Sequence, residues 1–108
     1  MTYRPDLTYN TLPTAPFEGR ELSSTGVVPH GEGRPLDVAQ VEHCRLWLCA
    51  HLTLIGKGQT SSYPLKGKVE RWCGAYISNG AFILAALQFG LKPIAVDSRN
   101  VTFPVKNG

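Results

Sequence analysis

The stretch Ser78-Asn79-Gly80-Ala81-Phe82-Ile83-Leu84-Ala85-Ala86-Leu87-Gln88-Phe89-Gly90 decides the fold. Ser78 has the side chain of an N-cap, and Ile77 and Phe82 occupy the positions of a hydrophobic staple across it. From Ala81 to Phe89 only Gln88 is polar, and Gly90 supplies a stop. A helix this apolar has no solvent face. It must be covered on most sides, by its own domain or by a partner.

Working outward on the N-terminal side, Gly74 ends a shorter helix expected from about Ser62 to Cys73. Pro64 is tolerated in its first turn, and Leu65, Val69 and Trp72 form its stripe. Gly67 weakens this helix, and Lys66 with Glu70 forms an i,i+4 pair. Lys57 to Ser61 reads as a loop. Before it, a helix is expected from Leu36 to Gly56. Asp37 is the cap and Gln40 completes a capping-box spacing; Val38, Val41, Cys44, Leu48, Leu52 and Ile55 recur at helical period. On the C-terminal side, Pro93–Val96 and Val101–Val105 flank a turn at Asp97–Asn100. Pro104 assigns the second of these strands to a sheet edge.

Residues 1–35 carry five of the eight prolines and cannot hold a long helix. The expected architecture is therefore α+β but mostly helical. Residues 36–108 form a three-helix core followed by a small β-hairpin, in a winged-helix-like order, and residues 1–35 form an irregular, proline-rich N-terminal arm. There is no internal repeat.

At 108 residues, 43% hydrophobic and 18% charged, the chain has material for one modest core. Its longest nearly uncharged run, Ala75 to Leu91, is short for a membrane span, and its N-terminus lacks signal-peptide character. The expectation is a cytoplasmic protein without membrane contact, monomeric or homodimeric. Cys44, Cys49 and Cys73 are odd in number and sit in apolar helical contexts, which reads as buried free thiols. The arm is slightly acidic, with Arg4, Arg20 and Arg34 against Asp6, Glu18, Glu21 and Glu32. The remainder is basic, with eight Lys and Arg against Asp37, Glu42, Glu70 and Asp97. That surplus suits an acidic protein face or nucleic acid.

Motifs for chemistry are missing. No Cys-x-x-Cys or i,i+4 histidine pair is present for a metal, and no Gly-x-Ser-x-Gly for acyl transfer. No Gly-Lys-Ser/Thr follows the glycines near His30. The only clustering that suggests an enzyme is Tyr63, Glu70, Tyr76 and Asn79 around one turn. An order of helix, helix, turn, helix and hairpin brings DNA binding to mind. A reading helix needs polar or basic residues for base edges, and the third helix offers Asn79, Gln88 and otherwise apolar groups, with no Lys or Arg between Arg71 and Lys92. Phosphate contact through a basic second helix is the remaining nucleic-acid route.

Ser62-Tyr63-Pro64-Leu65-Lys66-Gly67-Lys68-Val69-Glu70 and Tyr76-Ile77-Ser78-Asn79-Gly80, ahead of an alanine-rich helix, resemble a group of small bacteriophage and mobile-element proteins. These share a Ser-Tyr-x-Leu-Lys-x-x-x-Glu run and a Tyr-Ile-Ser-Asn-Gly run. A histidine often follows the lysine in that group; Gly67 stands there in this chain. The resemblance implies an accessory gene product. Such proteins usually act stoichiometrically on a host macromolecule, and inhibitors of host defence, including anti-CRISPR proteins, are one class of them. It assigns no catalytic residue, cofactor or metal. The expected function is thus a non-enzymatic protein that binds a host protein or ribonucleoprotein complex. A winged-helix-type nucleic-acid regulator is the first alternative, and a small enzyme using Tyr and Glu the second. The candidate partner-binding residues are Tyr3, Arg4, Tyr9, Lys57, Tyr63, Lys66, Lys68 and Arg71.

Overall fold

A computed structural model describes residues 11–107. In chain order, β1 (Thr11–Leu12), β2 (Ala15–Phe17), β3 (Arg20–Ser23), β4 (Gly26–Val28) and β5 (Leu36–Asp37) precede helix α1 (Val38–Ala50). A 3-10 turn (Leu52–Leu54) leads into β6 (Ile55–Ser61). Helices α2 (Ser62–Cys73) and α3 (Asn79–Phe89) follow, then β7 (Ala95–Asp97) and β8 (Asn100–Val105). The strands make three antiparallel sheets: β1 with β5, the meander β2-β3-β4, and β6-β8-β7.

This corrects the expected mostly helical body with an irregular arm and a terminal hairpin. Strands precede the helices, and they make up 31% of the architecture against 40% for the helices. Within residues 11–35 the prolines punctuate strands rather than prevent them. Pro16 lies on β2, an outer strand of its meander, where its missing N–H is tolerated. The β2–β3 hairpin pairs Phe17 with Arg20, so Glu18 and Gly19 form a two-residue turn. Both have positive φ, 49° and 80°, as a hairpin matched to strand twist requires. Phe17, Leu22 and Val27 on these strands are buried in the same core as the helices.

The first helix is shorter than its hydrophobic period suggests. Asp37 Oδ1 does accept the Gln40 N–H (3.0 Å), but the reciprocal half of a capping box is absent. Gln40 Oε1 instead accepts the Ser78 N–H (2.9 Å), tying α1 to the start of α3. The helix stops at Ala50. The His51 N–H turns back to Leu48 O, and His51 Nδ1 donates to Trp47 O (2.8 Å). Leu52, expected in the core stripe, is 58% exposed. The expected loop at Lys57–Ser61 belongs to β6, which makes β8 the central strand rather than an edge. Pro104 survives there because β6 pairs irregularly between Ile55 and Thr60, opposite the proline that has no N–H to donate. The remaining signals hold: Ser78 Oγ accepts the Ala81 N–H (3.1 Å), and Gly74 and Gly90 end their helices.

Helix α3 is covered within one chain. Phe82 meets Trp47 of α1 edge-on at 6.3 Å and Phe103 of β8 at 6.1 Å. Its N-terminus abuts the meander. The Gly80 N–H donates to Ser24 O (3.0 Å), and a Cβ on Gly80 would overlap the Ser23 carbonyl. On the other side the Val27 N–H donates to Arg99 O (3.0 Å) in the β7–β8 turn. Asn79 Nδ2 spans the junction, donating to Asn100 Oδ1 (2.8 Å) and Arg99 O (3.3 Å). Of the three cysteines only Cys44 is fully buried, and burial pushes its thiol pKa up; Cys49 is exposed and Cys73 half-buried, all free.

Gly80→Ala should destabilise the protein by about 2 kcal/mol or more, since backbone atoms must shift to admit the methyl group. Gly67→Ala meets only ordinary contact in mid-helix and should stabilise by roughly 0.5–1 kcal/mol. Urea denaturation of both variants checks the pair.

Candidate partner-binding cleft

Helix α2 presents three faces. Ser62, Leu65 and Val69 are buried. Tyr63, Lys66 and Glu70 share a second face, and Lys68, Arg71 and Trp72 lie on a third, as the helical period dictates. The second face forms one wall of a cleft of about 440 Å³. Its other walls are Ser24 and Thr25 of the β3–β4 turn, Pro35, Asp37 and Gln40 at the start of α1, and Tyr76, Ser78 and Asn79 before and at the start of α3.

Lys66 organises the cleft. Its side chain is only 11% exposed, and Nζ lies 3.2 Å from Glu70 Oε2. The ammonium stands 4.9 Å from the Tyr63 ring centroid and 5.2 Å from that of Tyr76, within range of a cation–π contact with each. Glu70 Oε2 also accepts the Ile77 N–H (3.0 Å), which fixes the segment bearing Tyr76. That backbone hydrogen bond, followed by the hydrogen bond from Lys66, holds the Glu70 carboxyl below the usual carboxylate range. Gln40 secures the same segment from the other side through Ser78. Two tyrosines are thus held apart by a lysine, and both stay exposed, at 60% and 66%.

Apart from Asp37 and Pro35, the rest of the lining is neutral and polar. Asn79 Oδ1 is buried with no hydrogen-bond partner, an acceptor left unused. No histidine or cysteine lines the cleft, and the Ser78 hydroxyl oxygen is occupied by its capping hydrogen bond. Glu70, ionised and doubly engaged, is poorly matched to proton transfer near neutral pH. Among the described residues, no group of three His, Cys, Asp or Glu could hold a metal. Nor is any helix long and apolar enough to cross a membrane.

The structure brings Tyr63 and Lys66 together from the expected set. Lys68 and Arg71 line a different cleft, and Lys57 lies on β6, so the expected basic surface is divided. Tyr3, Arg4 and Tyr9 lie outside the described residues. Tyr76 and Asn79 belong to the cleft with Tyr63, as their spacing around one turn suggested. Glu70 supports it through Lys66 and Ile77. Ser24, Thr25 and Gln40 had no sequence signal beyond turn and cap chemistry. Helix α3 has buried residues from Asn79 through Ala86 except Leu84, which leaves it no face for reading bases. Comparison with protein-family models, curated proteins and solved structures finds no match to this chain.

Because the folded-state pKa of Glu70 is depressed, its stabilising contribution is present above its ordinary pKa. It is lost as pH falls through the carboxylate range and then through the lowered value. Glu70→Gln should therefore be less stable than the parent at neutral pH and lose less on acidification. Thermal melts from neutral to acid pH check this, and parallel curves would contradict it.

Proposed function

We propose that this chain is a non-enzymatic accessory protein that docks a protein partner in the Tyr63–Tyr76 cleft. The observation carrying the proposal is the pair of exposed tyrosines fixed by Lys66 over a cleft of Ser, Thr, Asn and Gln side chains. Tyrosine supplies large contact area with few rotatable bonds, and the small polar residues adapt their hydrogen bonds to the partner. Both rings already lie against the Lys66 ammonium, so less side-chain entropy is lost on binding. Among the lining residues the single cation is paired with Glu70 and shares the cleft with the Asp37 carboxylate, which suits a polar, near-neutral insertion better than a phosphate backbone.

The resemblance to bacteriophage and mobile-element proteins supports a host target. On that basis the partner is a host protein or ribonucleoprotein complex, bound and inhibited stoichiometrically, as anti-CRISPR proteins and other anti-defence inhibitors act. Tyr3, Arg4 and Tyr9 are part of this proposal as a second contact.

The test is capture of a partner from bacterial host lysate by immobilised protein. A specific protein or complex should bind the parent. Tyr63→Ala with Tyr76→Ala should lose it at least tenfold, the size of a hot-spot loss, with an unchanged melting temperature because both rings are exposed. Removal of residues 1–10 reports separately on Tyr3, Arg4 and Tyr9. Equal capture by the double variant, or no specific capture by the parent, would remove the proposal.

A further inference from the structure

The accepting atoms around the tyrosine cleft are largely committed inside the fold. Ser78 Oγ takes the Ala81 N–H, Gln40 Oε1 takes the Ser78 N–H, and Asp37 Oδ1 takes the Gln40 N–H. The carbonyls of the far wall are engaged as well, Ser24 O by the Gly80 N–H and Thr25 O by Asn79 Nδ2. Donors remain. Holding Ser78 by its oxygen leaves Gln40 its two Nε2 protons, and the tyrosines bring hydroxyl donors on rings that are 60% and 66% exposed. The two rings also stand at a defined separation. Each centroid lies about 5 Å from Lys66 Nζ, so the two are no more than about 10 Å apart.

We infer that this cleft takes a proline-rich segment of the protein partner in the polyproline II conformation. Prolines one turn apart lie on Tyr63 and Tyr76, and a basic residue beside them lies against Asp37. The inference rests on the reading of the cleft as a docking site and names what enters it. Three observations select this occupant. Proline carries a carbonyl and no N–H, so a run of prolines accepts hydrogen bonds without donating any, as a lining of committed acceptors and remaining donors requires. A polyproline II helix advances about 3.1 Å per residue and repeats every three, which sets successive prolines of one edge about 9 Å apart, within the separation of the rings. Grooves lined by aromatic rings recognise this conformation, whose fixed φ leaves little entropy to lose. Charge gives the third argument. Lys66 is paired with Glu70 at 3.2 Å, so the Asp37 carboxylate is what the described lining offers a partner's charge, and it calls for a cation. An extended segment of ordinary residues would bring N–H groups that need acceptors, and a helical one would keep its carbonyls for itself.

The test is fluorescence anisotropy with the full chain and three labelled peptides: an oligoproline ending in arginine, the same peptide ending in glutamate, and a Gly-Ser peptide ending in arginine. The parent should bind the first most tightly, the second more weakly, and the third not at all. Tyr63→Ala and Tyr76→Ala should each weaken binding about fivefold or more, the loss that marks a residue carrying binding energy. Tyr76→Phe keeps the ring, removes one donor and should lose less than Tyr76→Ala. Asp37→Asn retains a capping residue and should erase the preference for the arginine end. Melting temperatures separate lost contact from lost fold, and the comparison of the three peptides on the parent needs no variant. No binding of either oligoproline, equal binding of the Gly-Ser peptide, equal affinity for the two oligoprolines, or unchanged affinity in both alanine variants would overturn the inference. Tyrosine-dependent capture of a lysate protein without oligoproline binding would sink this inference and leave the docking site standing; failure of both would sink the two together.

Discussion

The structure depends on the close approach of two backbones, Ser23–Ser24 against Asn79–Gly80. Helix α3 is too apolar to stand in water, and its first turn is where covering it is hardest, since unpaired amides point outward there. The β3–β4 turn meets that need by accepting the Gly80 N–H on Ser24 O, while Ser78 serves the Ala81 N–H from its own side chain. Only a residue without a Cβ permits the contact. Gly26, at φ 119°, meets the same condition from the opposite side, where a side chain would run into Arg99 O. Asn79 fills the corner between the meander, the helix and the β7–β8 turn. One run, Ser78-Asn79-Gly80, thus caps a helix, bridges three elements and admits a neighbouring backbone.

The tyrosine cleft follows from this seam. Its far wall, Ser24 and Thr25, is the turn that the seam holds, and its near wall is the segment that Glu70 and Gln40 fasten between α2 and α3. Helix α2 then divides its labour by face. One face is core, one carries Tyr63, Lys66 and Glu70 toward the seam, and one carries Lys68, Arg71 and Trp72 away from it. The basic residues of α2 look like a single patch in the sequence, but the helical period separates Lys66, which pairs with Glu70, from Lys68 and Arg71, which line the other cleft.

Helix caps were legible because they are local. Asp37, Ser78, Gly74 and Gly90 act within one turn, and each performs the expected duty. The alternation of Val101, Phe103 and Val105 was also legible, since the period of a strand is a local property. The meander was not. Its strands are three or four residues long, too short for a periodic signal, and Pro13, Pro16 and Pro29 read as breakers when they only mark strand ends and an outer strand. The end of α1 was misjudged because the apolar period continues through Leu52 and Ile55. There it serves an exposed turn and then a strand. For the cleft, Tyr63, Tyr76 and Asn79 could be grouped by spacing around one turn. The part played by Gln40 depends on a contact 38 residues away in sequence, which no local pattern encodes. Trp72 had the spacing of a core residue, yet it stays 48% exposed and meets His51, which follows α1, edge to face.

The central claim is that the meander is fastened to α3 as one cooperative unit, so that the tyrosine cleft exists as a preformed site. Native-state amide hydrogen exchange tests it most directly, because local openings and global unfolding separate by their free energies. The account predicts that the Gly80 and Val27 amides, bonded across the seam to Ser24 O and Arg99 O, exchange as slowly as the Ala85 and Ala86 amides in the middle of α3. Fast exchange at Gly80 and Val27 while Ala85 and Ala86 stay protected would mean that the meander detaches on its own, and would contradict it.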